Sequence, residues 1–276
     1  MNLHGIFDLH IHTAPDVKER KCSDPVLAQQ LHEAGYSGFA IKSHFNDTSA
    51  RAMLLQAAYP DMHIAGGIVL NRSAGGLNPF AVEAAAAIGG RFVWMPTMDA
   101  RSYQHFQHPQ RPAAEQAAYL SLFDEADKPA RALHEVLETA AAHDLITATG
   151  HVSAREGLAM AAAAREHGVK RILITHADNP ADSYTIEEQQ AAVALGAMIE
   201  HCYFTIAYQK TSLEEMVHQI RAVGSENVLL STDFGQLNSP CPRDGMEAFL
   251  QQLLTQGITE RELTIMTVQN PRRLLA

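Results

Sequence analysis

The sequence predicts an α/β fold, a single-domain (β/α)8 barrel of the TIM type, on three observations. Eight short apolar runs alternate strictly with helix-like segments along the 276 residues. That length suits one continuous barrel core, which typically takes about 250 residues. Most of the runs end in His, Glu or Asp, the residue types that a barrel enzyme presents at the C-terminal ends of its strands.

The runs are rich in β-branched or aromatic residues, as strands covered on both faces must be. In order they are IFDLHI (6–11), SGFAIKS (37–43), HIAGGIV (63–69), RFVWMPT (91–97), LITATG (145–150), RILITH (171–176), AMIEHC (197–202) and VLLSTD (228–233). Helices are expected at 24–34, 48–59, 78–88, 115–124, 129–143, 153–167, 185–195, 212–223, 244–256 and 260–268. Ser23 or Asp24 can accept the free N–H groups of the first helix, Pro25 fits its first turn, and Gly35 stands just beyond its end. Asn78 precedes Pro79 in the third helix, and Gly89 and Gly90 follow it. Ser153 with Glu156 three residues on forms a capping box, and Gly168 closes that helix. Alanine-rich AVEAAAAIGG and AMAAAAREHG join high helix propensity to small side chains that pack closely on a sheet. One connection breaks the rhythm, DARSYQHFQHPQRPAAEQ after the fourth run, and a long irregular segment in a barrel reads as a lid, expected over 99–114. Neither a fixed-period repeat nor a linker divides the chain, so one domain is expected over 1–276.

Composition narrows the function. Asp plus Glu outnumber Lys plus Arg by 31 to 21, a formal charge of −10, which argues against a basic nucleic-acid surface. Cys22, Cys202 and Cys241 are odd in number and far apart, as reduced thiols are. The start MNLHGIFDLHIHT lacks the basic and apolar regions of a secretory signal, and no apolar run reaches the roughly 18 residues that span a bilayer. A cytoplasmic enzyme with no membrane partner is expected, and a homo-oligomer is the common state of such proteins.

The strand ends carry the chemistry. The first run ends with His10 and His12, the second with Lys42 and His44, the fifth with His151, the sixth with His176, the seventh with Glu200 and His201, and the eighth with Asp233. Residues two apart on a strand point the same way, so His10 and His12 can face the barrel axis together. Joined to His151, His176 and Asp233 at three other strand ends, the pair reads as a divalent-metal site, with Zn2+ the common choice and Mn2+ or Fe2+ also suited.

These residues resemble the amidohydrolase superfamily of metal-dependent hydrolases, which has an HxH on the first strand, single His on the fifth and sixth, and Asp on the eighth. The matching segments are FDLHIHT (His10, His12), TGHVS (His151), ITHAD (His176) and STDFG (Asp233), and the closing VQNPRRLLA is similar to the NPxRLL-type tail. The resemblance runs from residue 6 to 276. It implies hydrolysis, since a metal lowers the pKa of bound water from about 15.7 to about 7. It also implies that Asp233 is the general base. The sequence departs from dinuclear members at the fourth strand, where FVWMPTMDA offers only Asp99 in place of a bridging carboxylated Lys or Glu. Lys42, if carboxylated, and Glu200 are the candidate substitutes, and one to three ions are expected. GFAIKSHFNDT resembles the second strand of polymerase-and-histidinol-phosphatase (PHP) domains, which implies that His44 is a further ligand.

Arg72, Arg101, Lys210 and Tyr103 are candidates for substrate binding at the barrel mouth, and Gly75 and Gly76 ahead of a helix start could cradle an anion. His105 and His108 are lid contacts or solvated. Asp16 could orient a ligand His. Cys202 is read as packing, because its neighbour His201 must point to the opposite face. His4, His32, His63, His134, His143, His167 and His218 fall at strand starts or on helices and are read as structural or solvated. The expected function is metal-dependent hydrolysis of a C–N or C–O bond in a small amide, cyclic amide or lactone, with or without an anionic group. A PHP-like phosphoester hydrolase, a metal-dependent non-oxidative decarboxylase and a metal-binding protein without turnover are the alternatives.

Overall fold

The computed structural model describes residues 3–276. Its strands are β1 (Phe7–Ile11), β2 (Gly38–Ile41), β3 (His63–Ala65), β4 (Gly67–Val69), β5 (Phe92–Trp94), β6 (Ile146–Ala148), β7 (Arg171–Ile174), β8 (Ala197–Cys202) and β9 (Val228–Ser231). All pairings are parallel and follow chain order, β1-β2-β3 in one sheet and β4 through β9 in the other.

β3 and β4 are the two halves of the expected third strand. A Cβ at Gly66, between them, would stand 2.4 Å from the Thr48 carbonyl oxygen. Thr48 takes over the local hydrogen bonding there: its Oγ1 donates to Ile41 O at 2.7 Å, and Gly67 N donates to that Oγ1 at 2.9 Å. Counted as one strand, they make eight. The ring is joined by Asp233 N donating to His10 O at 2.9 Å and His12 N donating to Phe234 O at 2.8 Å, with a parallel bridge between Ile11 and Phe234. The fold is the expected α/β barrel.

Outside the strands lie α1 (Asp24–Glu33), α2 (Ser49–Ala58), α3 (Pro79–Ile88), α4 (Arg101–Gln107), α5 (Ala113–Gln116), α6 (Arg131–Ala142), α7 (Ala154–Glu166), α8 (Ile186–Ala194), α9 (Tyr203–Ala207), α10 (Leu213–Val223), α11 (Pro242–Thr255), α12 (Glu260–Thr264) and α13 (Asn270–Leu275). Asn78 caps α3 by accepting from Phe80 N and Ala81 N, and Ser153 with Glu156 makes the capping box of α7. Ser23 holds the N-cap position of α1 but makes no side-chain cap. No helix among the described residues is long and apolar enough to cross a membrane.

Two apolar layers result. Phe7, Leu9, Ala40, Val69, Trp94, Ile146, Leu173 and Leu229 cluster with Leu274 of the C-terminal helix. The larger layer joins strands to helices; α6, for example, buries Leu133, Val136, Leu137 and Ala140 on one face. Each fully buried Leu or Val there stabilises the fold by about 1.5–3 kcal/mol.

Three boundaries differ from the sequence reading. The segment expected to be irregular, 99–114, contains α4 and the start of α5. The helix expected over 115–124 stops at Gln116, because Glu156 Oε1 accepts from Ser121 Oγ at 2.8 Å and from Leu122 N at 3.0 Å. The helix expected over 260–268 has a wide π turn at Ile265–Gln269 between α12 and α13. There Asn270 donates through Nδ2 to Ser225 O and Val228 O at 2.8 and 2.6 Å, tying the NPRRLL tail to the start of β9.

Candidate metal centre

Asp8, His10 and His12 alternate along β1 and the residue after it, and all three are buried. Asp8 accepts from Thr232 Oγ1 at 2.6 Å and Thr232 N at 3.1 Å, which fixes β1 against the end of β9. Burial pushes the Asp8 carboxyl up to about 7. Above it five imidazoles close into a ring. Centroid separations are 5.5 Å for His10–His12, 4.8 Å for His12–His44, 5.3 Å for His44–His151, 5.0 Å for His151–His176 and 5.8 Å for His176–His10.

Four of the five have Nδ1 engaged by a partner. His10 Nδ1 is 3.0 Å from Glu200 Oε2, His12 Nδ1 is 2.7 Å from Lys42 O, His44 Nδ1 is 2.9 Å from Thr97 Oγ1, and His176 Nδ1 is 2.5 Å from Asp182 Oδ2. Holding Nδ1 fixes the ring and presents Nε2 as its ligand edge, the usual arrangement of a metal-binding imidazole. His151 Nδ1 is buried without a hydrogen-bond partner among the described residues, and His176 Nδ1, though ion-paired with Asp182, also lies outside hydrogen-bonding geometry. Burial lowers the pKa of His12 to about 4 and, with neighbouring imidazoles adding to the effect, takes His44 and His151 well below the ordinary value. These rings are neutral at pH 7 and their lone pairs are available. Burial opposes protonation of His176 too, but the Asp182 carboxylate outweighs it and the net shift is upward.

Asp233 faces this ring from the end of β9. Its Oδ1 is 3.0 Å from His12 Nε2 and 3.2 Å from His10 Nε2. Burial opposes the charge, yet His10 and His12 hold the carboxylate well below its usual range. Asp233 and His176 both sit at positive φ, +53° and +30°, a left-handed backbone that non-glycine residues rarely adopt. Such strain persists where surrounding structure overdetermines it, commonly at functional sites.

Lys42 is fully buried, with Nζ 3.0 Å from His10 Nε2 and 5.7 Å above the Trp94 ring. Burial lowers its pKa. Glu200, expected as a metal bridge, has both oxygens in use: Oε2 on His10 and Oε1 accepting from Ser231 Oγ at 2.7 Å. The geometry makes it an orienting partner of His10. Asp99, the one acid of the fourth-strand segment, accepts from Arg72 N at 2.9 Å and staples a loop instead.

Cys202, read as packing, is fully buried and also borders the histidines. Its relation to Glu200, two residues back on the same strand, matters more than its relation to His201, and its Sγ is 3.7 Å from His10 Nδ1. His10, Cys202 and Asp233 bring ligand atoms within 4.8 Å of one another. His201 points the other way and pairs with Asp178 at 3.0 Å, and Asp178 also accepts from Thr205 Oγ1.

The predicted substrate contacts divide. Tyr103, on α4, packs tilted against His151 with ring centroids 4.9 Å apart, and Ser102 Oγ donates to His151 O at 3.3 Å, so the segment expected as a lid borders the site. Arg72 donates to Ala118 O and Arg101 to Ala117 O and Tyr119 O; both are exposed staples of residues 117–119. Lys210 lies 5.4 Å over Phe204. His105 is exposed and bonded to Gln116. Asp16, expected to orient a histidine, binds Ser43 and Arg20. Arg20 and Asn71 carry no signal in the reading of strand ends, because both act from outside the strands. Asn71 donates to His44 O and Thr97 Oγ1 at 2.8 and 2.7 Å and accepts from Thr97 N at 2.8 Å, which sets Thr97 under His44.

The donor set suits a divalent cation of the Zn2+, Mn2+ or Fe2+ kind: several neutral imidazoles, one ionised carboxylate, and an orphaned His151 Nδ1.

The chain is similar in fold to several solved hydrolases. Organophosphorus hydrolase from Deinococcus radiodurans superposes with a TM-score of 0.63 at 15% identity, covering 100% of this chain and 93% of that one. A protein engineered for organophosphate hydrolysis from a weak promiscuous lactonase template gives 0.63 at 15% identity, covering 100% and 97%. An amidohydrolase from Pseudomonas aeruginosa gives 0.66 at 11% identity, covering 98% and 95%. Among curated proteins, none matches in sequence. Two family models match, a family of unknown function (DUF6282) over residues 5–200 and the phosphotriesterase family over 129–275. Each of the two spans more than half of the 276 residues, and the chain belongs to DUF6282 and to the phosphotriesterase family, a metal-dependent hydrolase of the amidohydrolase superfamily.

Proposed function

We propose that this metal-dependent hydrolase cleaves a C–N or C–O bond in a small anionic amide, cyclic amide or lactone, with His10, His12, His151, His176 and Asp233 holding the metal. The observation that carries this reading is the ring of five imidazoles, four with Nδ1 engaged by a fixed partner, closed by the Asp233 carboxylate. Zn2+ is the first choice for this nitrogen-rich set, with Mn2+ and Fe2+ compatible, and one to three ions fit the number of donors. A divalent cation supplies Lewis acidity there, acidifying the attacking water and polarising the scissile oxygen.

The chain's own residues do the rest. Asp233 shares Oδ1 between His10 and His12, which leaves Oδ2 to take a proton from water and pass it to the leaving group. Glu200 and Asp182 orient His10 and His176. Lys42, buried and with a depressed pKa, is the candidate for carboxylation, and His44 for a further ligand from the second strand. Tyr103 and its helix α4 restrict access over His151.

The lactone arm is supported by the fold neighbour that was engineered from a lactonase. Phosphoester hydrolysis is the second reading, favoured by the phosphotriesterase family match. The test is metal-loaded protein against panels of lactones, amides and phosphoesters, with Asp233→Asn beside it. Turnover of a lactone or amide, reduced at least about 100-fold in the variant, is expected. Turnover confined to phosphoesters selects the second reading. Unchanged activity in Asp233→Asn removes the proposed mechanism.

A further inference from the structure

We infer that Arg20 is the anchor for an anionic group of the substrate, a carboxylate or a phosphate, at the mouth of the barrel beside His44. The inference rests on the hydrolase site proposed above and names a subsite within it. The loop after β1 is held between two strand ends. Lys21 N donates to Gly235 O at 2.8 Å, two residues past Asp233, and Ser43 Oγ, one residue before His44, donates to Asp16 Oδ1 at 3.0 Å. Arg20 lies in this loop, with its side chain only 5% exposed and that of Asp16 fully buried.

The guanidinium is incompletely satisfied. Its Nε donates to Asp16 Oδ2 at 2.7 Å. Nη2 is also 2.7 Å from that oxygen but lies outside hydrogen-bonding geometry, and it is buried without a hydrogen-bond partner among the described residues. Asp16 has little left to offer, since its Oδ1 already accepts from Val17 N and Ser43 Oγ. A buried arginine carries five donors and a fixed charge, so unclaimed N–H groups are costly until an acceptor arrives. The planar fork matches two oxygens of a carboxylate or phosphate.

Position agrees with this role. The loop that carries Arg20 is pinned to Ser43 and Gly235, next to His44 and Asp233 at two strand ends. Lys18 adds a second cation nearby, 5.9 Å over the Phe45 ring, which is edge-on to His44. The arginines that the sequence offered for this task, Arg72 and Arg101, are occupied by backbone carbonyls.

The test is calorimetric titration of metal-loaded protein with succinate and, separately, with inorganic phosphate. Wild type, Arg20→Ala, Arg20→Lys and the exposed-site control Arg131→Ala are compared. Wild type and control are expected to bind one anion better, which identifies the chemistry. Arg20→Ala is expected to bind that anion about 10- to 100-fold more weakly, the worth of a charge-assisted pair, with Arg20→Lys between them. Equal affinity in wild type and Arg20→Ala, or no binding of either anion by wild type, overturns the inference. If Arg20→Ala fails to fold, Arg20→Lys decides, because it keeps the charge and loses the fork; unchanged affinity there also overturns it. The readout is binding, so anion capture through Arg20 without any turnover would remove the hydrolase reading alone. Turnover with anion binding indifferent to Arg20 would remove this inference alone.

Discussion

Glu200 Oε2 accepts a hydrogen bond from His10 Nδ1 at 3.0 Å, joining β8 to β1 across 190 residues of sequence. Ser231 Oγ holds the other oxygen at 2.7 Å, so the carboxylate cannot swing away. Burial disfavours its charge, but His10 and Ser231 outweigh that and keep it ionised. Glu200→Gln is therefore expected to leave the fold intact and lower metal affinity about 10- to 100-fold, as loss of an orienting partner does. Chelator competition measures this; an affinity equal to wild type would show that Glu200 does not govern the His10 ring.

Gly150 sets the position of His151. It sits at φ +64°, and a Cβ there would stand 2.3 Å from Met95 O. Gly150→Ala is expected to destabilise the protein by at least about 2 kcal/mol, combining left-handed strain with a backbone clash. It should also reduce metal stoichiometry by displacing His151. Urea unfolding with metal analysis tests both effects, and a variant as stable as wild type would contradict the geometry.

Protonation of the imidazoles couples stability to pH in chelated protein. Burial holds His12 at about 4 against 6.5 unfolded, and His44 and His151 are lowered in the same way. Between those two pH values the unfolded chain binds more protons, so stability is fully present above 6.5 and lost as pH falls towards 4. His12 alone accounts for about 3 kcal/mol. His176, raised by Asp182, and Asp8, raised by burial to about 7, act in the opposite sense and reduce the slope. Denaturation midpoints after chelation, at pH 7 and 5, are expected to fall with pH; a rise would refute the assignment. Reloading metal should raise the midpoint, in proportion to the logarithm of free metal over Kd.

The loop after β1 depends on Asp24. Its carboxylate takes Arg51 Nε and Nη2 at 2.8 and 2.7 Å and Thr13 Oγ1 at 2.5 Å, while Arg51 Nη2 also donates to Thr13 O at 3.0 Å. Asp24→Ala leaves Arg51 unpaired in a mostly buried setting and is expected to cost about 3–5 kcal/mol. A loss below about 1 kcal/mol in thermal or urea unfolding would place this network at the level of a surface pair.

Much of the fold was legible because each element has a local cause. The capping box at Ser153 and Glu156, Asn78 before Pro79, and the alternation of apolar runs all act within a few residues, and the helices formed where they point. The breaks came from distant partners. Thr48 parts β3 from β4, and Glu156 draws Ser121 and Leu122 out of a helix. The first leaves a local trace in the Gly66–Gly67 pair, and the second leaves none in the segment it alters.

The same division runs through the candidate site. Strand alternation and the strand-end rule, both local, put His10, His12, His44, His151, His176 and Asp233 at one end of a barrel, and the sequence by itself determined that. Which nitrogen of each ring is engaged, that Glu200 orients His10, that Cys202 lies beside it, and that Arg72 and Arg101 serve as staples were decided only by the tertiary structure. The reason is physical: periodicity fixes the face on which a side chain leaves its own strand. Its hydrogen-bond partner and pKa depend on side chains brought up by other strands and on the water their packing excludes.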